Sequence, residues 1–445
     1  MPQDDQHGHH HSHEPGLPAR GGRARTRGGG RVGLIRLQLG LILLAAPSGG
    51  ALAQARPWAR VGAQAIAAYE HADAVPGGSP LGEARVVQPV VMVQADALRR
   101  LRLTGTLNLE GLTIPDGELA PGNWGEGFVD RRHPHTYLHE LVLTADDLLG
   151  AHDGDARLSL SAGKGFAPFG TDDPMVRPFV RYPVNHHLAQ ILERAVAIAA
   201  LRAGRLALEA GLFNGDEPER PGQWPRVGGR FGDSWSARVT ATPLPGATAE
   251  LSHAHVHSPE HRPGAGTDQE KWSVAGRWDR PVAGHPTYGL LEWARTSEAD
   301  GFFVFHSLLA EGAWGTGPHR LQYRFERTER PEEERISRFR SLRPHLENSI
   351  LGVTRWTTHT VGYQVRVLTR GPLAVNPLAE LTYASVTKVG GGLIDVEQLY
   401  GQTHIWSLTL GLRIAAGMTM HRMGRYGAVE DESEMAMHDH DGMAQ

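Results

Sequence analysis

Histidine recurs at alternate positions in His253, His255 and His257, with His261 just beyond. In an extended chain that spacing puts the three imidazoles on one face. Neutral imidazole suits zinc, copper or nickel. Strand neighbours two apart lie about 6.5–7 Å from each other, so one ion is gripped only where side chains converge, and a polar rim is the plainer reading. A second chelating set, Met435, Met437, His438 and His440, with Met443, lies in the acidic stretch 430–445. Thioether plus imidazole suits copper, and an acidic, solvated tail is the alternative. His133, His135 and His139 form a smaller cluster. The stretch 165–193 concentrates charge in Asp172, Asp173, Arg177, Arg181, His186, His187 and Glu193. Folded into a pore, such carboxylates and guanidiniums would set a transverse field and sort solutes by charge and size; on a surface they would only be solvated.

No catalytic constellation accompanies these groups. Gly-x-Ser-x-Gly, His-Glu-x-x-His and phosphate-loop motifs are absent. His306 and Ser307 are adjacent, so in a strand they point to opposite faces and cannot pair locally. An enzyme is not expected.

The elements that must position these residues are strands. Leu101, Leu103, Leu107 and Leu109 alternate with Arg102, Thr104, Thr106 and Asn108. Leu321, Tyr323 and Phe325 oppose Arg320, Gln322, Arg324 and Glu326, and Trp406, Leu408, Leu410, Leu412 and Ile414 oppose Ser407, Thr409, Gly411 and Arg413. Similar runs occur near 136–144, 156–164, 194–202, 205–213, 235–243, 247–257, 271–279, 287–296, 302–311, 360–369 and 374–386. That makes about fourteen strands of the length a tilted membrane strand needs. Their connections alternate between a short class (145–155, 203–204, 244–246, 280–286, 312–317, 370–373) and a long class (113–135, 165–193, 214–234, 258–270, 297–301, 329–348, 387–402). This rhythm predicts an all-β transmembrane antiparallel up-and-down barrel with long extracellular loops, short periplasmic turns and both ends in the periplasm. A soluble sandwich or solenoid is the competing fold.

The polar faces carry full charges at mid-strand: Arg102, Arg157, Glu209, Arg238, Arg277, Glu292, Arg324, Glu326, Arg366, Glu380 and Arg413. A dry core would not accept them unpaired, whereas a water-filled lumen would, so they are expected to line a pore. Trp235, Trp272, Trp314, Trp406 and Tyr426 sit near strand ends, as interfacial girdles require.

Composition is compatible. The 445 residues carry a net charge near −4, no cysteine and only three lysines, Lys164, Lys271 and Lys388. Nothing suggests a nucleic-acid partner, and disulfides and thiolate metal sites are impossible. Residues 31–53 read as a secretory signal: a basic start, an apolar core from Leu37 to Ala46, and Ala51-Leu-Ala53 as a small-x-small cleavage site. The His/Arg-rich residues 1–30 precede it and read as an over-extended start or an unusual signal-peptide head. Segment 54–98 breaks the parity and contains Pro89, so it reads as a periplasmic or lumen-plugging piece, with a sixteen-strand barrel as the alternative. The barrel is expected over 99–427 and the tail over 428–445.

Gly163-Lys-Gly-Phe-Ala-Pro-Phe-Gly170, Gly211-Leu-Phe-Asn-Gly215 and a return strand around Gly362-Tyr363 together resemble bacterial outer-membrane porins, in particular the phosphate-selective porin-like family. The resemblance covers the middle and C-terminal thirds and implies a passive outer-membrane channel. The lysine clusters of phosphate channels are missing, so phosphate selectivity is not carried over. Barrels of this kind end on an aromatic residue; here Tyr426 is the candidate, with 19 residues after it. The Met/His tail supports a second resemblance, to copper-resistance outer-membrane barrels, although the appendage here is C-terminal.

The expectation is an exported outer-membrane barrel in contact with lipid, passing small polar or anionic solutes with a mild anion preference, without a cofactor. The alternatives are a barrel handling copper or zinc, and a structural surface barrel whose lumen is plugged. The resemblance allows a homotrimer, and no interface is legible.

Overall fold

Alternation of apolar and polar residues is realised as one continuous antiparallel ladder. The computed structural model describes residues 58–429 apart from 76, 99, 114–134, 150–153, 155, 185, 219–220, 258–265, 334, 338–339, 342–349 and 419–421. Expectations for 1–57, for His133 and His261, and for Met435, Met437, His438 and His440 lie outside the described residues.

The strands run in chain order: β1 (Ala59–Val75), β2 (Ser79–Leu98), β3 (Leu101–Asn108), β4 (Leu138–Leu149), β5 (Ala156–Gly165), β6 (Arg194–Ala203), β7 (Leu206–Phe213), β8 (Ser234–Leu244), β9 (Ala247–Val256), β10 (Gln269–Trp278), β11 (Thr287–Glu298), β12 (Phe303–Thr316), β13 (His319–Glu333), β14 (Ile350–Val365), β15 (Leu373–Gly392) and β16 (His404–Gly417). Each pairs with its sequence neighbours, and β1 pairs with β16 from Gly62–Gly417 to Ala72–Ser407. The sheet therefore closes into a barrel of 16 strands. A three-residue piece, Leu368–Arg370, pairs with β15 alone and stands outside the ring. Closure leaves no sheet edge to be satisfied.

The strand count of about fourteen is corrected to sixteen by segment 54–98. From Ala59 onward it is neither plug nor periplasmic appendage but the first hairpin of the wall. Two features conceal it in the sequence. Alanine stands on both faces of β1 (Ala63, Ala65 and Ala67 outward; Ala68 and Ala72 inward), and the inward set also holds Ile66, so the contrast is low. In β2, Gln88 and Pro89 stand opposite Ala65 alone, forming a bulge with Gln88 at φ +50°. A bulge is where a strand tolerates proline, because no ladder N–H is needed there.

Adding two strands keeps the count even. The long connections, with the short link 76–78, share one end of the barrel; the short turns share the other with both barrel termini. The barrel ends at Gly417, ten residues before the expected 427.

Outward positions are apolar and exposed: Leu143, Leu160, Leu208, Leu251, Leu381 and Leu410 all present side chains to the surroundings. Trp235, Trp272 and Trp406 ring the long-loop end and Trp314 the short-turn end, each exposed. A soluble barrel would reverse these faces; apolar out and charged in is the arrangement a barrel adopts in lipid. Tyr426 departs from the girdle and lies inside the barrel, 2% exposed.

Replacing Leu410, outward at the middle of β16, by arginine should destabilise the barrel by about 2–4 kcal/mol. Equilibrium urea unfolding in lipid vesicles reads this; an unchanged midpoint would mean that this face is not in hydrocarbon.

Candidate lumen site

Among the described residues, two segments run deep into the barrel interior. The longer, 166–193, leaves β5, turns inward and crosses to the far wall. Apolar side chains seat it: Ala167, Phe169 and Ile191 pack on Val142, Ile198 and Phe213, and Phe166, Met175 and Tyr182 pack with Val90 and Met92. Polar groups then fasten it around the circumference. Gln88, aimed inward by its bulge, donates to Val180 O at 3.0 Å. Thr171 donates to Glu292 at 2.6 Å. Val180 N donates to Glu380 at 2.8 Å, Arg324 to Arg181 O at 2.7 Å, and Arg181 to Ser407 at 2.7 Å.

The second segment, 422–429, follows β16 and returns into the barrel from the short-turn end. Tyr426 donates to Glu140 at 2.7 Å and accepts from Phe166 N at 3.1 Å. Arg425 pairs with Glu250, and Arg422 reaches Asp172 at 3.2 Å. Ala428 N donates to Ser159 at 2.8 Å. Nothing in the strand pattern signals this return, because the segment has no periodicity of its own.

The two segments and the wall meet at Arg238. Its guanidinium is bidentate to Glu209 on the adjacent strand, both bonds 2.6 Å, and donates to Gly170 O at 3.1 Å and Gly424 O at 2.8 Å. Gly170 can offer that carbonyl only because it is glycine: at φ +65° a Cβ would fall 1.7 Å from Ala189 O. The motif glycines have similar local reasons. A Cβ on Gly211 would meet the Pro168 ring at 2.6 Å, so the loop's proline lies directly over the wall glycine.

Of the residues expected to line a pore, Arg102, Arg157, Glu209, Arg238, Arg277, Glu292, Arg324, Glu326, Glu380 and Arg413 all face inward. Arg366 lies one residue past β14, exposed at the short-turn end. Sequence reasoning missed Glu70, Glu140, Lys164, Glu250, Lys271 and Glu311, which are also inward and buried. Glu70 fell in the unrecognised first hairpin, and Lys164 and Lys271 lie near strand ends. With them, the cationic excess inside nearly vanishes.

The expected constriction residues Asp172, Asp173, Arg177, Arg181 and His186 are all buried within the lumen; the side chain of His187 lies outside the described residues. They do not oppose one another across a gap. Asp172 binds Arg277 at 2.5 Å and Arg422, and Arg177 lies 3.6 Å from Glu311. Burial opposes the charge of Asp172, but Arg277, Arg422 and Arg177 outweigh it and hold the carboxyl below its usual range. Asp173 is likewise depressed: burial is overcome by the imidazoles of His139 and His186 that face its carboxylate.

His253, His255 and His257 share one face at the long-loop end, but it is the outward face. His253 stacks on Trp272 at 4.1 Å between ring centroids. His255 binds Glu270 at 2.7 Å and His257 binds Asp268 at 2.6 Å, so each imidazole is tied to β10 or its approach instead of converging on an ion.

No family model and no curated protein matches the chain. Solved structures with a similar outline include an anion-selective porin from Comamonas acidovorans (11% identity, 80% of this chain and 99% of that chain, TM-score 0.47). Others are outer-membrane expressed OmpT of Vibrio cholerae (10%, 81% and 99%, 0.43) and OccK2 (OpdF) of Pseudomonas aeruginosa in complex with glucuronate (12%, 81% and 98%, 0.34). At such identities and scores, the barrel assignment rests on the register of this chain's own strands.

Two outcomes follow. Arg238→Ala leaves buried Glu209 with only Arg425, 3.5 Å away, as a cationic partner, which should cost up to about 3–5 kcal/mol and expose 422–429 to protease; urea melts and limited proteolysis read both. Because the Asp172 and Asp173 carboxyls are depressed, their contribution is complete above the unfolded value of about 3.9 and is lost as pH falls below it. Proteolysis of 166–193 by an acid protease should therefore rise below about pH 4, and an onset near pH 6 would point to histidine instead.

Proposed function

We propose that this chain is an outer-membrane channel for passive diffusion of small polar or anionic solutes, narrowed by the inserted loop and C-terminal segment. The observation that carries the reading is a set of arginines at the short-turn mouth. Arg320 and Arg413 face inward on β13 and β16, and Arg366 follows just past β14 at the same end. Among the described residues, neither Arg320 nor Arg413 has a carboxylate within ion-pair distance. Other inner arginines are neutralised in pairs: Arg157 with Asp147, Arg324 with Glu311, Arg238 with Glu209. Selectivity then comes from a few uncompensated guanidiniums and not from a general positive wall, and a mild preference for anions follows. In this reading the inward residues from Arg102 to Arg413 line the passage, and Asp172, Asp173, Arg177, Arg181 and His186 shape its narrowest level.

A structural surface barrel is the second reading, favoured by how fully 166–193 and 422–429 occupy the interior.

Planar-bilayer recording of the purified protein separates them. The channel reading expects small single-channel steps with a reversal potential on the anion side. Arg320→Ala with Arg413→Ala should lower the anion-to-cation permeability ratio about two- to fivefold, the effect of roughly 0.5–1 kcal/mol of charge interaction. A cation-preferring native channel would overturn the arginine argument; absence of conductance would favour the structural barrel.

A further inference from the structure

One cluster inside the barrel joins residues of the wall to residues of the inserted loop. At the long-loop end, His135 leads into β4, His139 projects inward from β4, and Asp173 and His186 come from the inserted loop. All four are essentially buried, at 2, 0, 0 and 1% exposure. One donor atom from each of His135, Asp173 and His186 lies within 4.8 Å of the other two. The Nε2 atoms of His186 and of His139 each lie 3.6 Å from the same carboxylate oxygen, Oδ2 of Asp173. That is too long for a hydrogen bond. It is close to the edge of a tetrahedron of ligands around zinc, about 3.3–3.5 Å for bonds near 2.0–2.1 Å.

The surroundings favour metal over a simple ion pair. Nδ1 of His139 is 2.6 Å from Glu193 Oε1, which turns its Nε2 toward Asp173. A carboxylate on the far nitrogen is the usual outer partner of a metal-bound histidine. Nδ1 of His135 faces Asn108 at 3.1 Å and Glu110 at 3.5 Å, leaving its Nε2 on the inner side. Glu193 is fixed in turn by Thr136 through its backbone N (2.8 Å) and hydroxyl (2.7 Å). Three imidazoles and one carboxylate form a borderline donor set, suited to a first-row divalent ion and unlike the all-oxygen shell of calcium or magnesium.

We propose that His135, Asp173 and His186, completed by His139, bind a zinc-class divalent cation that pins the inserted loop to the wall at β4. The ion is a resident of the fold, not cargo, and the inference does not depend on what the barrel conducts. The site is distinct from the outward histidines of β9, which face away from the lumen.

The test uses the full chain, stripped with chelator and titrated with Co2+ as a spectroscopic probe. The site expects the visible d–d absorption of tetrahedral cobalt at one equivalent, displaced by Zn2+, with 166–193 less accessible to protease when metal is bound. His186→Ala and Asp173→Asn should each weaken binding at least about 100-fold, and Glu193→Gln about 10–100-fold. His255→Ala should leave the spectrum unchanged. Absence of the tetrahedral spectrum in the native chain would overturn the proposal without recourse to any variant. So would a spectrum that survives in the His135→Ala, His186→Ala double variant.

Discussion

The guanidinium of Arg238 is the point on which the interior depends. It satisfies Glu209 on the neighbouring strand, the carbonyl of Gly170 in the inserted loop and the carbonyl of Gly424 in the returning C-terminal segment. Each of those groups would be costly to leave buried and unpaired. One side chain thereby makes wall, loop and terminus mutually conditional. The planar, five-donor fork of arginine is what permits it; a lysine could not meet three acceptors in fixed directions.

The same logic extends through the lumen. A 16-strand cylinder is too wide for its own inward side chains to fill, so its interior needs either water or more chain. Here it receives chain, and the filling is largely polar: Asp172 between Arg277 and Arg422, Glu380 under the amides of Val180 and Arg181, Glu140 under Tyr426. Apolar contacts supply only the seats. Where strand alternation fails, with Val142, Ile198 and Phe213 pointing inward, the loop rests.

How legible this was in the sequence follows from these particulars. Fourteen strands, the two classes of connection and the inward position of ten of the eleven charges expected inside could be read because lipid outside and charge inside enforce a period of two. The first hairpin could not, because alanine on both faces of β1 carries no contrast and Pro89 in β2 mimics a break, whereas it occupies a bulge. The charges of 172–186 were recognisable as an inserted set, but not their pairing, since partners such as Glu311 and Arg422 lie more than a hundred residues away. The histidines of β9 were rightly placed on one face, and the register then turned that face outward. His135 and His139 read only as part of a smaller cluster because their two companions, Asp173 and His186, come from another segment.

The returning segment 422–429 also bears on the order in which the molecule can be built. It follows β16, the strand that seals the ring against β1. Its seat is made by Phe166 and Asp172 of the inserted loop together with Glu140, Glu209 and Glu250 of three different strands. The seat is complete only when the loop lies against the strands that carry Glu140, Glu209 and Glu250. The last stretch of described chain is thus a latch that engages only after the loop has been seated, and a wall mis-registered across those strands would find it hanging free.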